Sequence, residues 1–145
     1  MKHEKKIILD RLLKTDFSSN IYKQGEIYVF CSKNITASKP APKNVQIIKV
    51  PEIDNHLDLN AILKKVYAMG IMSIFVEAGG ILCGSFLPYA DKIYQFIAPK
   101  VLADNNGKSC FEGTIKNTIQ ECKNFSIDSL KKISVDVLIT YSSKM

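Results

Sequence analysis

The sequence predicts an α/β fold, and three observations in its middle third carry the prediction. Residues 45–50 are typical of a strand, and residues 71–76 are nearly all apolar, as expected of a strand that is covered on both faces. Between them, residues 59–69 carry apolar side chains at helical spacing, with Asp58 placed as the N-cap and Gly70 as the C-terminal cap. A helix that joins two strands in this way predicts a right-handed crossover and a parallel pair.

Elements of both kinds continue on either side of this helix. Residues 5–10 form a short apolar run that ends in an acid, and residues 26–31 are rich in β-branched and aromatic side chains, so both segments predict strands. Residues 81–87 predict a short helix that Pro88 closes. The rest of the chain predicts a strand that begins at residue 92 and a meander with strands at residues 114–116, 123–127 and 135–141.

The composition is that of one globular domain. A chain of 145 residues with 46% hydrophobic and 23% charged residues is ordinary for a folded protein. It contains no linker long enough to divide it, so residues 1–145 are expected to form a single domain. No apolar run approaches the roughly 20 residues that span a bilayer. Because the apolar run near the N-terminus is too short for a signal peptide, the cytoplasm is the expected location.

Cysteine usage and charge exclude several kinds of site. The four cysteines form no Cys-x-x-Cys pair and the two histidines lie near none of them, so no metal site and no zinc-deaminase signature is predicted. Free thiols in a reducing compartment are the expected state. The net charge of +6 is compatible with attraction of phosphates. The lysines are scattered and do not alternate with aromatic residues, however, so a nucleic-acid interface is not predicted.

Most of the chemical interest lies at the turn that leads into the helix predicted at residues 81–87. Gly79 and Gly80 follow an apolar run and leave backbone amides uncovered at a helix start, which is a ready site for a phosphate. Gly80 and Gly84 lie four residues apart on one helix face, so a neighbouring group can approach that face closely. Tight packing of the helix explains the same glycines, and the local pattern leaves both interpretations open.

Two familiar phosphate-binding motifs do not fit this turn. The dinucleotide fingerprint Gly-x-Gly-x-x-Gly needs alternating glycines, whereas Gly79 and Gly80 are adjacent. Gly79 and Gly84 have the spacing of a P-loop, but Ser85 and Phe86 occupy the places of its lysine and its serine or threonine. Phosphate binding at this turn would therefore use neither of these two motifs.

Glu77 is the most unusual residue of the segment. It ends the strand predicted at residues 71–76, where a carboxylate needs a partner or a ligand. The carboxyl ends of strands in an α/β sheet are where ligands bind. A carboxylate beside phosphate-binding amides suits hydroxyl or amine donors of a substrate. The alternative is that Glu77 caps the helix that follows.

Residues 74–87, Ile-Phe-Val-Glu-Ala-Gly-Gly-Ile-Leu-Cys-Gly-Ser-Phe-Leu, resemble the Val-Glu-Gly-Gly segment of the riboflavin-biosynthesis reductases. These are the C-terminal domains of the bifunctional deaminase/reductase. The resemblance continues over residues 90–94 and 97–102, and it includes Leu9-Asp10 and the closing strand at residues 134–141. It implies a dihydrofolate-reductase-like fold, which is a mixed sheet flanked by helices.

The resemblance also implies an activity. The family reduces 5-amino-6-(5-phosphoribosylamino)uracil to its ribitylamino form with NADPH, and the hydride passes from the nicotinamide to C1 of the sugar. Glu77 matches the substrate-binding glutamate, and Arg11 falls where a further cofactor contact is expected, although serine is more usual there. No catalytic proton donor is identified. The loop that holds the cofactor matches Gly79, Gly80, Ile81, Leu82, Cys83, Gly84 and Ser85.

This chain also departs from the family pattern. Ala78 replaces a glycine that commonly follows the glutamate. The opening Lys-x-Ala-x-Ser-x-Asp-Gly strand of the family domain, its Trp-Ile-Thr-Gly segment and the acid-and-arginine stretch that holds the substrate phosphate have no counterpart here, and the chain has no tryptophan. Residues 1–145 are therefore expected to be a partial reductase domain that lacks the family's N-terminal segment, without the deaminase half.

Three functions remain open at this point. The chain is of the reductase lineage, as part of an enzyme or complemented by another polypeptide; it is a non-catalytic remnant or assembly module of the reductase fold; or it is an unrelated α/β anion-binding protein. A sheet without its first strand exposes backbone edges, so we expect a homo-oligomer, with a dimer as the simplest form. The expected ligands are NADPH and a small phosphorylated pyrimidine, with no membrane or nucleic-acid partner.

Overall fold

The computed structural model describes residues 5–36, 40–113 and 118–144. The chain divides into two compact units, Met1–Ile74 and Phe75–Met145, and each contains its own three-stranded sheet. That the two units make one domain stays a prediction. The first unit contains β1 (Lys5–Leu9), β2 (Glu26–Ser32), β3 (Val45–Val50), β4 (Glu52–Ile53), β5 (His56–Leu57) and α1 (Leu59–Ala68). The second contains α2 (Gly80–Phe86), β6 (Lys92–Ile97), β7 (Phe125–Ile133) and β8 (Asp136–Ser143).

The first unit is built on a parallel sheet in the order β1-β2-β3. Its central strand β2 is covered on both faces. Phe30 packs on one face with Ile62 and Val66 of α1, and Val29 packs on the other face with Tyr22. The strands predicted at residues 5–10, 26–31 and 45–50 are thereby confirmed, with ends that differ by one residue at most.

The predicted helix is confirmed as α1, and so are its end signals. Asp58 is the N-cap, and its Oδ1 accepts a hydrogen bond from the backbone N–H of Ala61 at 3.1 Å. Gly70 follows the C-cap Met69 with φ of +76°, a left-handed conformation that glycine adopts without strain. These local signals fix where the helix begins and ends, so that its apolar stripe faces β2.

The strand predicted at residues 71–76 is wrong. Residues 71–79 form neither strand nor helix, and Met72 and Phe75 are 77% and 72% exposed. A strand exists only where a neighbouring backbone pairs with it, and no described strand pairs with this segment. The parallel pair predicted between it and β3 is therefore absent from the described residues. The parallel pairs of this chain are β1 with β2 and β2 with β3.

The second unit contains an antiparallel sheet in the order β6-β8-β7. β7 and β8 form a hairpin whose turn includes Ser134 at a φ of +56°. The strands predicted from residue 92 and at residues 135–141 are confirmed. The strand predicted at 123–127 is confirmed in part, since β7 begins at Phe125 and extends to Ile133, and the strand predicted at 114–116 lies outside the described residues. With a parallel sheet in one unit and an antiparallel sheet in the other, the chain is α/β as predicted.

Candidate functional site

The glycine turn, defined here as residues 77–85, opens helix α2. Gly79 is the N-cap in an extended conformation, and no side chain of the described residues caps the helix start. The backbone N–H of Cys83 donates to Gly79 O at 3.0 Å and closes the first helical turn. The backbone amides ahead of Cys83 in that turn have no partner within the helix, which is the general property of helix starts. The helix start predicted at this turn is confirmed, and binding of an anion there stays a prediction.

The side chains of the turn divide into two kinds. Cys83 and Ser85 bond locally, since Cys83 Sγ donates to Ala78 O at 3.2 Å and Ser85 Oγ donates to Ile81 O at 2.8 Å. Ile81 is 59% exposed. The two polar side chains thus bond within the turn and its short helix.

Glu77 lies three residues before α2, and its environment differs from the predicted one. Its side chain is exposed, so the carboxylate is not desolvated at the end of a buried strand. It does not cap α2 either, because the N-cap is Gly79 and the Glu77 side chain makes no hydrogen bond to the helix start. The capping interpretation is therefore wrong.

The close approach predicted for the face of Gly80 and Gly84 is confirmed, and the approaching group is the chain itself. Residues 109–112, called the strap below, lie directly on this face. A Cβ atom added at Gly84 would lie 1.7 Å from Glu112 O, and one added at Gly80 would lie 2.3 Å from Ser109 O. The backbone N–H of Glu112 donates to Gly80 O at 2.9 Å. Packing therefore explains these two glycines, while a Cβ at Gly79 would meet open space.

Arg11 lies in the first unit, immediately after β1. Because β1, β2 and β3 are parallel, their carboxyl ends meet at one edge of the sheet, and Ser32 and Glu52 reach the same edge from β2 and β3. Arg11 Nη1 donates to Glu52 Oε2 at 3.0 Å. Hydrogen bonds from Ser32 and from Arg11 lower the pKa of the Glu52 carboxyl. The predicted cofactor contact is thus already paired with an acid.

Ser32 and Glu52 are functional candidates that the sequence reasoning missed. Ser32 is a fully buried polar residue, and its Oγ also accepts a hydrogen bond from the backbone N–H of Asn34 at 3.1 Å. The signal that identifies both residues is their position at or just after the end of a strand. That signal becomes specific only once the strands are known to be parallel and in register.

Other kinds of site find little support in the described residues. Residues 5–36, 40–113 and 118–144 contain no group of three or more histidine, cysteine or acidic side chains that could hold a metal. All four cysteines are free thiols, and burial raises the pKa of Cys31. In the same part of the chain, no helix is long and apolar enough to cross a membrane.

Comparisons with known proteins identify relatives over nearly the whole chain. The family model described as the RibD C-terminal domain matches residues 1–139. The riboflavin biosynthesis protein RibD of Escherichia coli (strain K12) is 30% identical over 105 residues, which are 70% of this chain and 28% of that protein. The chain therefore spans just over a quarter of the length of this curated relative.

Solved structures show the same fold at lower identity. The deaminase/5-amino-6-(5-phosphoribosylamino)uracil reductase of Thermotoga maritima matches with a TM-score of 0.74 and 20% identity, over 97% of this chain and 38% of that chain. The riboflavin biosynthesis reductase Rib7 of Saccharomyces cerevisiae matches with a TM-score of 0.72 and 17% identity, over 99% of this chain and 74% of that chain. The dihydrofolate-reductase-like fold predicted from the sequence is confirmed.

Proposed function

Because this chain belongs to the RibD C-terminal domain family of riboflavin biosynthesis, we propose that it takes part in the NADPH-dependent reduction of 5-amino-6-(5-phosphoribosylamino)uracil to its ribitylamino form. Membership in the family excludes the third alternative, an unrelated anion-binding protein. The observation that supports the proposal best is the glycine turn, where a helix begins at Gly80 with an uncapped first turn and Glu77 is exposed just ahead of it.

In the proposed site, the backbone of the turn holds the cofactor. NADPH, when bound, supplies the hydride that passes to C1 of the sugar. The first-turn amides of α2 donate hydrogen bonds to anionic oxygens of the cofactor, and we assign this contact to the loop Gly79, Gly80, Ile81, Leu82, Cys83, Gly84 and Ser85. Because the strap occupies the face of Gly80 and Gly84, the cofactor reaches the amides from the open side at Gly79.

Glu77 is proposed to bind the substrate. Its carboxylate accepts hydrogen bonds from hydroxyl or amine groups of the phosphorylated pyrimidine and orients the sugar toward the cofactor. Ala78, at a place where the family commonly has glycine, stiffens the backbone between Glu77 and Gly79, and its O accepts from Cys83 Sγ. Arg11 is proposed as a further cofactor contact in the first unit.

A second candidate function is that of an assembly module without turnover. The observation that favours it is the exposed apolar side chains on the sheet of the second unit, where Ile127 and Leu130 of β7 lie on one face and are 64% and 65% exposed. Exposed apolar residues concentrated on a sheet mark interaction surfaces. We therefore propose a homo-oligomer, with a dimer as its simplest form. We also propose that the protein is located in the cytoplasm.

The test combines cofactor binding with turnover on the full chain. NADPH is titrated by its fluorescence, and oxidation of NADPH is followed with the ribosylaminopyrimidine phosphate as substrate. Glu77→Gln should lower kcat on the order of a hundredfold and leave the Kd for NADPH within about twofold, because Glu77 contacts substrate and not cofactor. Glu121→Gln is the matched control, since Glu121 is an exposed glutamate of the same unit, and it should leave both values unchanged.

Three results separate the candidates. Binding and turnover together support the reductase. Binding of NADPH without turnover supports the assembly module. If NADPH does not bind at millimolar concentration, the assignment of the glycine turn to a cofactor is wrong.

A further inference from the structure

The carboxyl edge of the parallel sheet combines the two side-chain types that distinguish nicotinamide cofactors. At such edges an arginine recognises the 2′-phosphate of NADPH, and an acid accepts hydrogen bonds from the free 2′-hydroxyl of NADH. Here both are present, and Arg11 Nη1 donates to Glu52 Oε2 at 3.0 Å. The positive charge of Arg11 is thus already neutralised by Glu52, an acid at the same edge.

The charged side chains around Arg11 do not give this edge of the sheet a net positive charge. The ionisable side chains that directly follow β1, β2 and β3 are Asp10 and Arg11, Lys33, and Glu52. Two are acids and two are bases, so their formal charges cancel. Asp10 is itself held in place, since its Oδ2 accepts a hydrogen bond from the backbone N–H of Thr15 at 2.7 Å. A 2′-phosphate dianion approaching Arg11 therefore meets no net attraction from these four groups.

The side chain of Glu52 is partly buried and held in position. Its side chain is 17% exposed, against 37% for that of Arg11. The buried residue Ser32 lies at the same edge and, with Arg11, holds the pKa of the Glu52 carboxyl below its usual range. Rotating Glu52 away to admit a phosphate would break its hydrogen bond to Arg11, which carries a free-energy cost.

We propose that Glu52 is a specificity-determining residue, and that the Arg11–Glu52 pair makes this chain accept NADH about as well as NADPH. The inference rests on the proposed function, because it concerns the cofactor assigned to Arg11. A phosphate dianion placed beside Arg11 also lies beside the Glu52 carboxylate, and like charges in contact weaken binding. The ribose of NADH carries no such charge, and Glu52 offers its 2′-hydroxyl an acceptor.

The test is the ratio of the Kd for NADH to the Kd for NADPH, measured by nucleotide fluorescence on the full chain without substrate. For the unmodified chain we expect a ratio below about ten. Glu52→Gln keeps the size of the side chain and removes the negative charge, so it should tighten NADPH about tenfold without tightening NADH. Arg11→Gln should shift the ratio the other way, by weakening NADPH more than NADH.

Glu26→Gln is the matched control. Glu26 lies at the opposite, amino end of the same sheet and pairs with Lys5 at 3.8 Å, so this variant changes the net charge equally but leaves the carboxyl edge intact. It should leave the ratio unchanged. Circular dichroism confirms that each variant folds, and Arg11→Gln supplies an independent reading if Glu52→Gln does not.

The outcomes distinguish this inference from the proposed function. A selective gain in NADPH affinity in Glu52→Gln, absent from Glu26→Gln, supports it. Strong selectivity of the unmodified chain for NADPH, or equal changes for both nucleotides, overturns it while the cofactor assignment stands. If neither nucleotide binds any variant, the proposed function is wrong and this inference is lost with it.

Discussion

The two units of the chain bury their apolar side chains to very different extents. In the unit Met1–Ile74, β2 is covered on both faces, and Val29 and Phe30 are completely buried. In the unit Phe75–Met145, Phe86 is the one buried apolar residue among those that the structure describes, and Phe96 on β6 is 62% exposed. The first unit therefore makes a core of its own, whereas the sheet of the second has apolar side chains without cover.

In the second unit, contacts with backbone atoms instead link segments that lie far apart in the sequence. The strap rests on the glycine face of α2, and Lys123 Nζ donates to the backbone oxygens of Leu87, Pro88 and Ala90 at 3.1 to 3.2 Å. The proposed cofactor turn is thus carried by the unit with the smaller core. The comparison teaches that equal substitutions in the two units should have unequal effects on stability.

The largest expected effect comes from a matched pair of phenylalanine substitutions. Phe30→Ala removes a completely buried ring from between β2 and α1 and should lower the free energy of unfolding by about 3–5 kcal/mol. Phe96→Ala removes an exposed ring and should change it by no more than about 0.5 kcal/mol. Urea unfolding followed by far-ultraviolet circular dichroism measures both.

The same pair tests self-association when it is measured at two protein concentrations. If Phe96→Ala is as costly as Phe30→Ala and the cost grows with concentration, the face of β6 is covered in an assembly. Equal costs at every concentration would contradict the contrast between the units, because they would show that Phe96 is buried within one chain.

A smaller effect is expected within the second unit, from two glycine-to-alanine substitutions. Gly84→Ala places a methyl group against the backbone of Glu112, so the strap must shift, and the free energy of unfolding should fall by about 1–3 kcal/mol. Gly79→Ala is the control, because its methyl group meets open space at a φ of −70°. Thermal unfolding measures both, and equal losses would show that the strap does not rest on α2.

Local signals predicted the first unit well because each lies within one element. Asp58 and Gly70 mark the ends of α1, and the composition of β2 marks a buried strand. The run at residues 71–76 has an equally strong composition, yet no described strand pairs with it. Pairing depends on a distant backbone, which composition does not report. The two strand-like segments therefore look alike in sequence and differ in structure.

The residues of the candidate site divide in the same way, into those that a local motif predicts and those that only the fold brings together. Glu77 and the glycine turn are contiguous, so a motif of a few residues predicts them. Ser32 and Glu52 join Arg11 only through the register of three parallel strands, and the hydrogen bond between Arg11 and Glu52 spans 41 positions. Similarly, the spacing of Gly80 and Gly84 predicted a close approach but not that residues 109–112 make it. Contacts of this kind are fixed by the fold as a whole.

The smallest expected effect is a pH dependence of stability that comes from Glu52, at the carboxyl edge of the sheet in the first unit. The pKa of Glu52 is lowered by hydrogen bonds from Ser32 and Arg11. A carboxyl whose pKa is lower in the folded chain stabilises the fold above its unfolded pKa, about 4.3 for glutamate, and loses that contribution as the pH falls through its folded pKa. The unmodified chain should therefore exceed Glu52→Gln in stability most at neutral pH.

Urea unfolding at about pH 7, 5 and 3 measures this difference, which should shrink toward the lowest pH as Glu52 takes up a proton in the folded chain. Arg11→Gln should show a weaker pH dependence than the unmodified chain, because one of the two hydrogen bonds that lower the pKa is gone. A stability difference between the unmodified chain and Glu52→Gln that stays constant from neutral to acid pH would show that these bonds do not hold Glu52 ionised. The Glu52 carboxylate would then be free to rotate away from Arg11. The close packing that distinguishes the first unit from the second would not extend to the carboxyl edge of its sheet.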